Sequence, residues 1–171
     1  FGGSYNMALG GFDRIRYVDR DDVIRYDREP SLSGGSVHLG AGYKFTDNLT
    51  VGAEAGMLFQ YNDYALPFYA TATYYYGEPK GNFRHRWFNY VNLGPQFYFS
   101  GNTKTGAMAG VGGGVRVIVS GSLKMDLQLG YQINMHRPDI CDTGKYDLPA
   151  AGVRYKEYTH VLQVGINFII F

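Results

Sequence analysis

Apolar and polar residues alternate without interruption from Leu123 to Met135. The odd-numbered residues are all apolar or aromatic, and the even-numbered ones between them are all polar or glycine. A period of two predicts a β-strand whose two faces meet different surroundings. A half-buried strand of a water-soluble protein alternates over about 4–8 residues. This longer alternation matches the roughly 9–11 residues with which a tilted strand crosses a bilayer.

The same pattern recurs along the whole chain of 171 residues, which we treat as a single domain, 1–171. It predicts eight strands, over 1–12, 36–45, 49–61, 66–76, 85–99, 107–119, 123–135 and 155–171. Helical periodicity is missing between them, so we expect neighbouring strands to pair antiparallel. Closing the sheet removes its two exposed edges. The predicted fold class is therefore all-β: a closed eight-stranded antiparallel up-and-down barrel.

The polar face is unsuited to a water-exposed surface, because it is largely glycine and only 18% of all residues are charged, below the roughly 25% of an average soluble domain. The apolar face is rich in aromatic residues and too bulky for an eight-strand interior. We therefore predict a transmembrane barrel with its apolar face toward lipid. The lipid-facing residues of the last two strands are Leu123, Met125, Leu127, Leu129, Val164, Ile166 and Phe168.

Polar residues would then fill the lumen of the barrel. The predicted lumen network consists of His38, Lys44, Glu54, Arg116, Lys124, Asp126 and Gln128. Because an unpaired charge away from water is costly, we expect Glu54 and Asp126 to pair with the bases. We favour a structural plug of such pairs over an ion path, since eight strands leave little bore.

Three segments resemble a known group of proteins: the hairpin GAGYKFTDNLTVGAEAG, the segment SGSLKMDLQLGYQI, and a last strand ending in Phe171. They are similar to the small eight-stranded outer-membrane barrels of Gram-negative bacteria, the OmpA- and OmpX-like family. The resemblance implies a bacterial outer-membrane location, with the lipid bilayer and lipopolysaccharide as surroundings. Phe171 departs from the alternation of the last strand. Counting back from it in steps of two gives Ile169, Asn167, Gly165 and Gln163, which belong to the polar face.

Two long connections, 13–33 and 136–154, would lie at the same end of the barrel, as extracellular loops do. The first is densely charged with mixed signs. It predicts a solvated loop with a short hairpin extension through Ile15, Tyr17, Val23 and Ile24. The other interpretation is that an outer-membrane protein partner binds through the loops 13–33 and 136–154. The partner-binding candidates are Arg20, Asp22, Arg25 and Tyr26.

The remaining chemistry is sparse. A net charge of +1 gives no sign of nucleic-acid binding, and the single cysteine excludes an internal disulfide. The histidines lack metal-ligand spacing, so we expect no metal, cofactor or catalytic residue. The function expected is non-enzymatic: partner docking, adhesion or envelope structure through the loops, alone or as a subunit of a larger complex. The alternatives are a lipid-modifying enzyme that uses His136 with Asp139 and Asp142, and a soluble lipocalin-like ligand-binding barrel.

Overall fold

The computed structural model describes residues 1–17, 23–28, 34–60, 63–76, 85–99, 103–138 and 153–170. These ranges contain nine strands and no helix, and accordingly no helix in them is long and apolar enough to cross a membrane. The strands are β1 Gly2–Tyr17, β2 Val23–Arg28, β3 Gly34–Lys44, β4 Leu49–Gln60, β5 Asp63–Tyr75, β6 His85–Tyr98, β7 Thr103–Ile118, β8 Leu123–Pro138 and β9 Val153–Ile170.

The sheet is a closed antiparallel barrel. From β3 to β9 each strand pairs with the next along the chain, and β1 pairs with β9 to close the ring. Strands β2 and β3 follow one another along the other edge of β1: β3 pairs with Gly2–Tyr5, and β2 pairs with Gly11–Arg16. They therefore occupy one position in the ring, which has eight positions. The predicted eight-stranded up-and-down barrel is confirmed.

The segment 13–33 was predicted as a loop with at most a short hairpin extension, and that prediction was too cautious. Its backbone is strand as far as Tyr17 and again over β2. The strand conformation continues here because β1 is paired along both of its edges. It pairs with β2 up to Arg16↔Val23 and with β9 up to Tyr17↔Val153. Three others of the seven predicted connections shorten in the same way; for example, β5 already begins at Asp63.

The apolar set lies on the outside of the barrel. Large apolar side chains on strands around the ring are strongly exposed, including Leu39 at 69%, Trp87 at 65% and Leu129 at 55%. Polar side chains on the opposite face are buried, including Gln96 at 0% and Asp126 at 4%. A soluble lipocalin-like barrel requires the reverse arrangement, so that alternative is wrong. An exposed apolar belt around a closed barrel is the lipid-facing surface of a membrane protein.

One irregularity changes which residues of β1 face outward. The pairing with β9 shifts between Ala8 and Gly10, so Leu9 is an extra residue and Gly10 pairs with His160. Such a β-bulge is expected at a glycine with positive φ, and Gly10 has φ 134°. Odd-numbered residues face outward before the bulge, whereas even-numbered residues do so after it.

Candidate functional site in the barrel lumen

A two-pronged ion pair lies in the lumen near the turn between β7 and β8. Arg116 of β7 and Asp126 of β8 are directly paired in the sheet, so their side chains share the inner face. Arg116 Nε donates to Asp126 Oδ1 and its Nη2 donates to Oδ2, both at 2.7 Å. Nη2 also donates to the hydroxyl of Tyr75. A two-pronged guanidinium–carboxylate pair with a further acceptor compensates for the burial of both charges.

A second polar group occupies the middle of the lumen. His38 Nε2 lies 3.5 Å from Glu54 Oε2 and 2.8 Å from Asn167 Oδ1. Tyr69 donates its hydroxyl proton to Glu54 Oε2 at 3.0 Å, and Asn167 Nδ2 donates to Gln128 Oε1 at 3.1 Å. Strands β3, β4, β5, β8 and β9 are thereby joined across the lumen. The sequence placed His38, Glu54 and Gln128 here, whereas Asn167 and Tyr69 were not among its site residues.

The two predicted lumen lysines lie at the mouth of the barrel. Lys44 Nζ is 2.6 Å from Asp47 Oδ1 in the turn after β3, and both side chains are exposed. The Lys44 ammonium lowers the pKa of the Asp47 carboxyl through this hydrogen bond. Lys124, the second residue of β8, lies at the same end and lines the cavity described below. Lys44 is therefore not paired with Glu54 or Asp126 among these contacts, although the sequence allowed it.

A buried polar layer closes the end of the lumen at the long connections; we call it the loop-side layer. Asn134 Oδ1 accepts from Gln96 Nε2 at 3.1 Å and from Gln132 Nε2 at 2.6 Å. Next to them, His136 Nε2 lies 3.0 Å from Glu157 Oε2, and the two side chains are 8% and 7% exposed. Glu157 had no role in the sequence analysis, because the register that sets it beside His136 is not visible in the sequence.

Inward-facing aromatic rings form a further cluster that the sequence did not single out. Tyr75, Phe88 and Tyr90 are each no more than 5% exposed and contact one another. The glycines opposite them provide the necessary space. A Cβ added to Gly112 would lie 2.6 Å from the Tyr90 ring, and one added to Gly130 would lie 2.1 Å from its hydroxyl oxygen. At Gly112 the added Cβ would also lie 2.5 Å from the backbone carbonyl oxygen of Leu129, so a side chain there requires the backbone to shift, whereas at Gly130 the Tyr90 hydroxyl would have to move.

Between the two ends the lumen contains a cavity of about 590 Å³. It extends from Lys44 and Asp47 at the exposed turn end to Gln96 and Met108 at the loop-side layer. Gln96 and Met108 are buried. The lumen is therefore not filled along its whole length: it is open toward the end with the β3–β4 turn and closed by the loop-side layer.

The remaining predicted residues lie elsewhere. Of the lipid-facing set, Leu127, Leu129, Val164 and Ile166 are between 38% and 55% exposed. Phe168 is partly covered by stacking on Phe1, and Leu123 and Met125 are partly buried. Of the partner-binding candidates, Arg20 and Asp22 lie outside the described residues, as do Asp139, Asp142 and Phe171. Arg25 is exposed on β2 and contacts Asp27; only the backbone of Tyr26, also on β2, is described. Within the described ranges, no three metal-ligating side chains come together.

No protein-family model matches the chain, and no curated protein matches it in sequence. Solved structures do match. The crystal structure of Neisserial surface protein A is similar with a TM-score of 0.52 at 14% identity, covering 99% of this chain and 97% of that one. The outer membrane protein OprG from Pseudomonas aeruginosa follows, with a TM-score of 0.49 at 12% identity over 97% and 95%.

This chain has the fold of the small outer-membrane β-barrels. The match runs over nearly the full length of both chains, so the likeness concerns the whole barrel and not one hairpin. At these identities it concerns the fold alone. The predicted resemblance to eight-stranded outer-membrane barrels is thereby confirmed.

Proposed function

We propose that the protein is an integral barrel of the bacterial outer membrane that acts without catalysis, through the segments at its loop-side end. The observation that carries the proposal is that the lumen is closed at its loop-side end. Gln96, Gln132 and Asn134 are all buried at the loop side, where both glutamines donate to Asn134 Oδ1. A barrel closed there offers external molecules its loops and rim, not a path through its centre.

The orientation follows from the lengths of the connections. In outer-membrane barrels the short turns face the periplasm and the longer loops face outward. The four-residue connections between β3 and β4 and between β7 and β8 lie at one end, together with the nine-residue connection between β5 and β6. The hairpin β1–β2 and the connection 139–152 lie at the other. The extended hairpin β1–β2 then projects from the cell, and Arg25 presents an exposed guanidinium on it.

The alternative of a lipid-modifying enzyme used His136 at the outer surface. His136 is 7% exposed and faces the lumen, where it is bound to Glu157. A group in this position does not meet a lipid headgroup, which favours the non-enzymatic function. We propose docking to an outer-membrane or extracellular protein, with Arg20, Asp22, Arg25 and Tyr26 as contact residues, in adhesion, envelope structure or a larger complex.

The test replaces residues 17–22 by Asn-Gly, a dipeptide suited to a two-residue hairpin turn. The closing pair Arg16↔Val23 is kept, so the barrel should fold and run at a different position when boiled and unboiled. A second variant, Arg20→Ser/Asp22→Ser, keeps the length and the net charge and removes two of the proposed contact residues. We expect crosslinking in native membranes to capture a partner with the original chain and with neither variant. Capture by the Asn-Gly variant, or no partner with the original chain, would contradict docking through this hairpin.

A further inference from the structure

A row of cations crosses three neighbouring strands at the loop-side end of the barrel. Arg14 of β1 is directly opposite Arg25 of β2 on one side and Lys156 of β9 on the other. Directly paired residues of adjacent strands lie on the same face. Arg16, two residues further along β1, also lies on that face. The three arginines are exposed and Lys156 is partly exposed; we call these four residues the basic row.

The basic row lies on the outside of the barrel, directly beyond a pair of aromatic rings. Phe12 precedes Arg14 on the same face and stacks on Tyr158 at 4.7 Å between ring centroids. The guanidinium of Arg25 lies over the Phe12 ring at 4.1 Å. Aromatic side chains mark the membrane interface of such barrels. Since a strand rises about 3.3 Å per residue, Arg14 lies about 7 Å further along β1 than Phe12, on the side of the long connections.

The charge of this surface is strongly one-sided. Among the described side chains on this face, the acid is Asp27, whose Oδ1 lies 3.1 Å from Arg25 Nε. Glu157, next to Lys156 in β9, faces the lumen and pairs with His136. Within the described part of this face, four cations therefore lie beside one carboxylate. Guanidinium groups bind phosphate oxygens through paired N–H donors, so the surface is complementary to closely spaced phosphates.

We propose that the basic row binds the phosphates of a phosphorylated glycolipid of the outer leaflet, while the Phe12–Tyr158 pair contacts its acyl chains. A free phosphate would use the cations alone, whereas a lipid uses the cations and the rings at once. The site goes beyond the proposed docking function and requires only the proposed membrane location. Arg14 and Lys156 are not among the proposed docking residues. Substituting them therefore leaves the docking residues unchanged.

The experiment measures lipid retention by native mass spectrometry of the whole barrel in detergent. The probes are diphosphorylated lipid A, phosphatidylcholine and inorganic phosphate. The variant Arg14→Gln/Lys156→Gln removes two cations of the row. The control Lys44→Gln/Lys124→Gln removes two cations from the opposite end and leaves the same net charge. Both are checked for folding by the gel shift between boiled and unboiled samples.

We expect the original chain and the control to retain lipid A, and the row variant to bind it about thirtyfold more weakly, as the loss of two basic residues near an anionic lipid surface should. Asp27→Asn should bind it more tightly. Equal retention by row variant and control, equal retention of phosphatidylcholine, or displacement of lipid A by inorganic phosphate at similar concentration would each overturn the proposal. Failure of every chain to insert into vesicles would instead contradict the membrane location.

Discussion

The contact between Gly130 and Tyr90 gives a quantitative test of how the lumen is packed. Tyr90 is 5% exposed, and its hydroxyl has no hydrogen-bond partner among the described groups. A Cβ at residue 130 would lie 2.1 Å from that hydroxyl oxygen, whereas the next ring atom lies 3.1 Å away. We therefore predict that Gly130→Ala destabilises the barrel because of the hydroxyl, and that Tyr90→Phe relieves most of the damage.

The magnitudes follow from the cost of overpacking. Forcing a methyl group into a packed interior costs about 1–3 kcal/mol, so Gly130→Ala should lower the free energy of unfolding by about 2 kcal/mol. Tyr90→Phe removes a buried hydroxyl without a partner and should leave stability unchanged or raise it by about 1 kcal/mol. The double variant should then lose much less than Gly130→Ala alone, with a coupling of about 1–2 kcal/mol.

The assay is urea unfolding of the barrel in lipid vesicles, followed by tryptophan fluorescence. Trp87 is the only tryptophan of the chain, and it faces outward with 65% exposure, so its emission reports on contact with lipid. Gly121→Ala is the matched control, because no atom lies within 4 Å of its added Cβ. Additive effects of the two substitutions, with no coupling above about 0.5 kcal/mol, would refute the proposed clash.

Three further predictions concern the faces, the ion pair and the bulge. Leu127→Arg places a cation toward lipid at a cost of about 2–4 kcal/mol at the bilayer midplane and should block insertion into vesicles, whereas Gln128→Leu should insert; the reverse result would mean that the faces are misassigned. Asp126→Ala leaves Arg116 buried without its carboxylate and should cost about 3–5 kcal/mol in urea unfolding, much of it recovered when Arg116→Met is added; no recovery would contradict the ion pair as the cause. Gly10→Ala forces a side chain into a backbone conformation with positive φ and should cost about 1–3 kcal/mol, so unchanged stability would contradict the bulge.

The strands and their two faces could be predicted from the sequence because alternation is a local property. Leu129 and Val164 face outward and Asp126 faces inward, as their positions in the pattern require. The Arg116–Asp126 pair was one of several allowed combinations. Choosing among them needed the register of β7 on β8, which sets these two residues opposite one another.

The features that could not be predicted from the sequence depend on the register of neighbouring strands and on the volume inside the barrel. Phe88 breaks the rule that the inner face is polar, and it is buried because the glycines around it leave room for a ring, as Gly114 does. Glu157 meets His136 only through the pairing of β8 with β9. The cavity likewise depends on how all the inner side chains together fill the bore. None of these features has a signature within a single strand.

The bulge at Gly10 shows how one inserted residue can decide the character of a surface. Without it, strict alternation from Tyr5 and Met7 would turn Arg14 and Arg16 into the lumen, where each cation would need a buried partner. The extra residue in β1 turns them outward instead, in line with Arg25 and Lys156. The cost of the bulge is confined to a glycine that tolerates positive φ. A lumen of balanced charge and a strongly basic outer rim therefore follow from the same local irregularity.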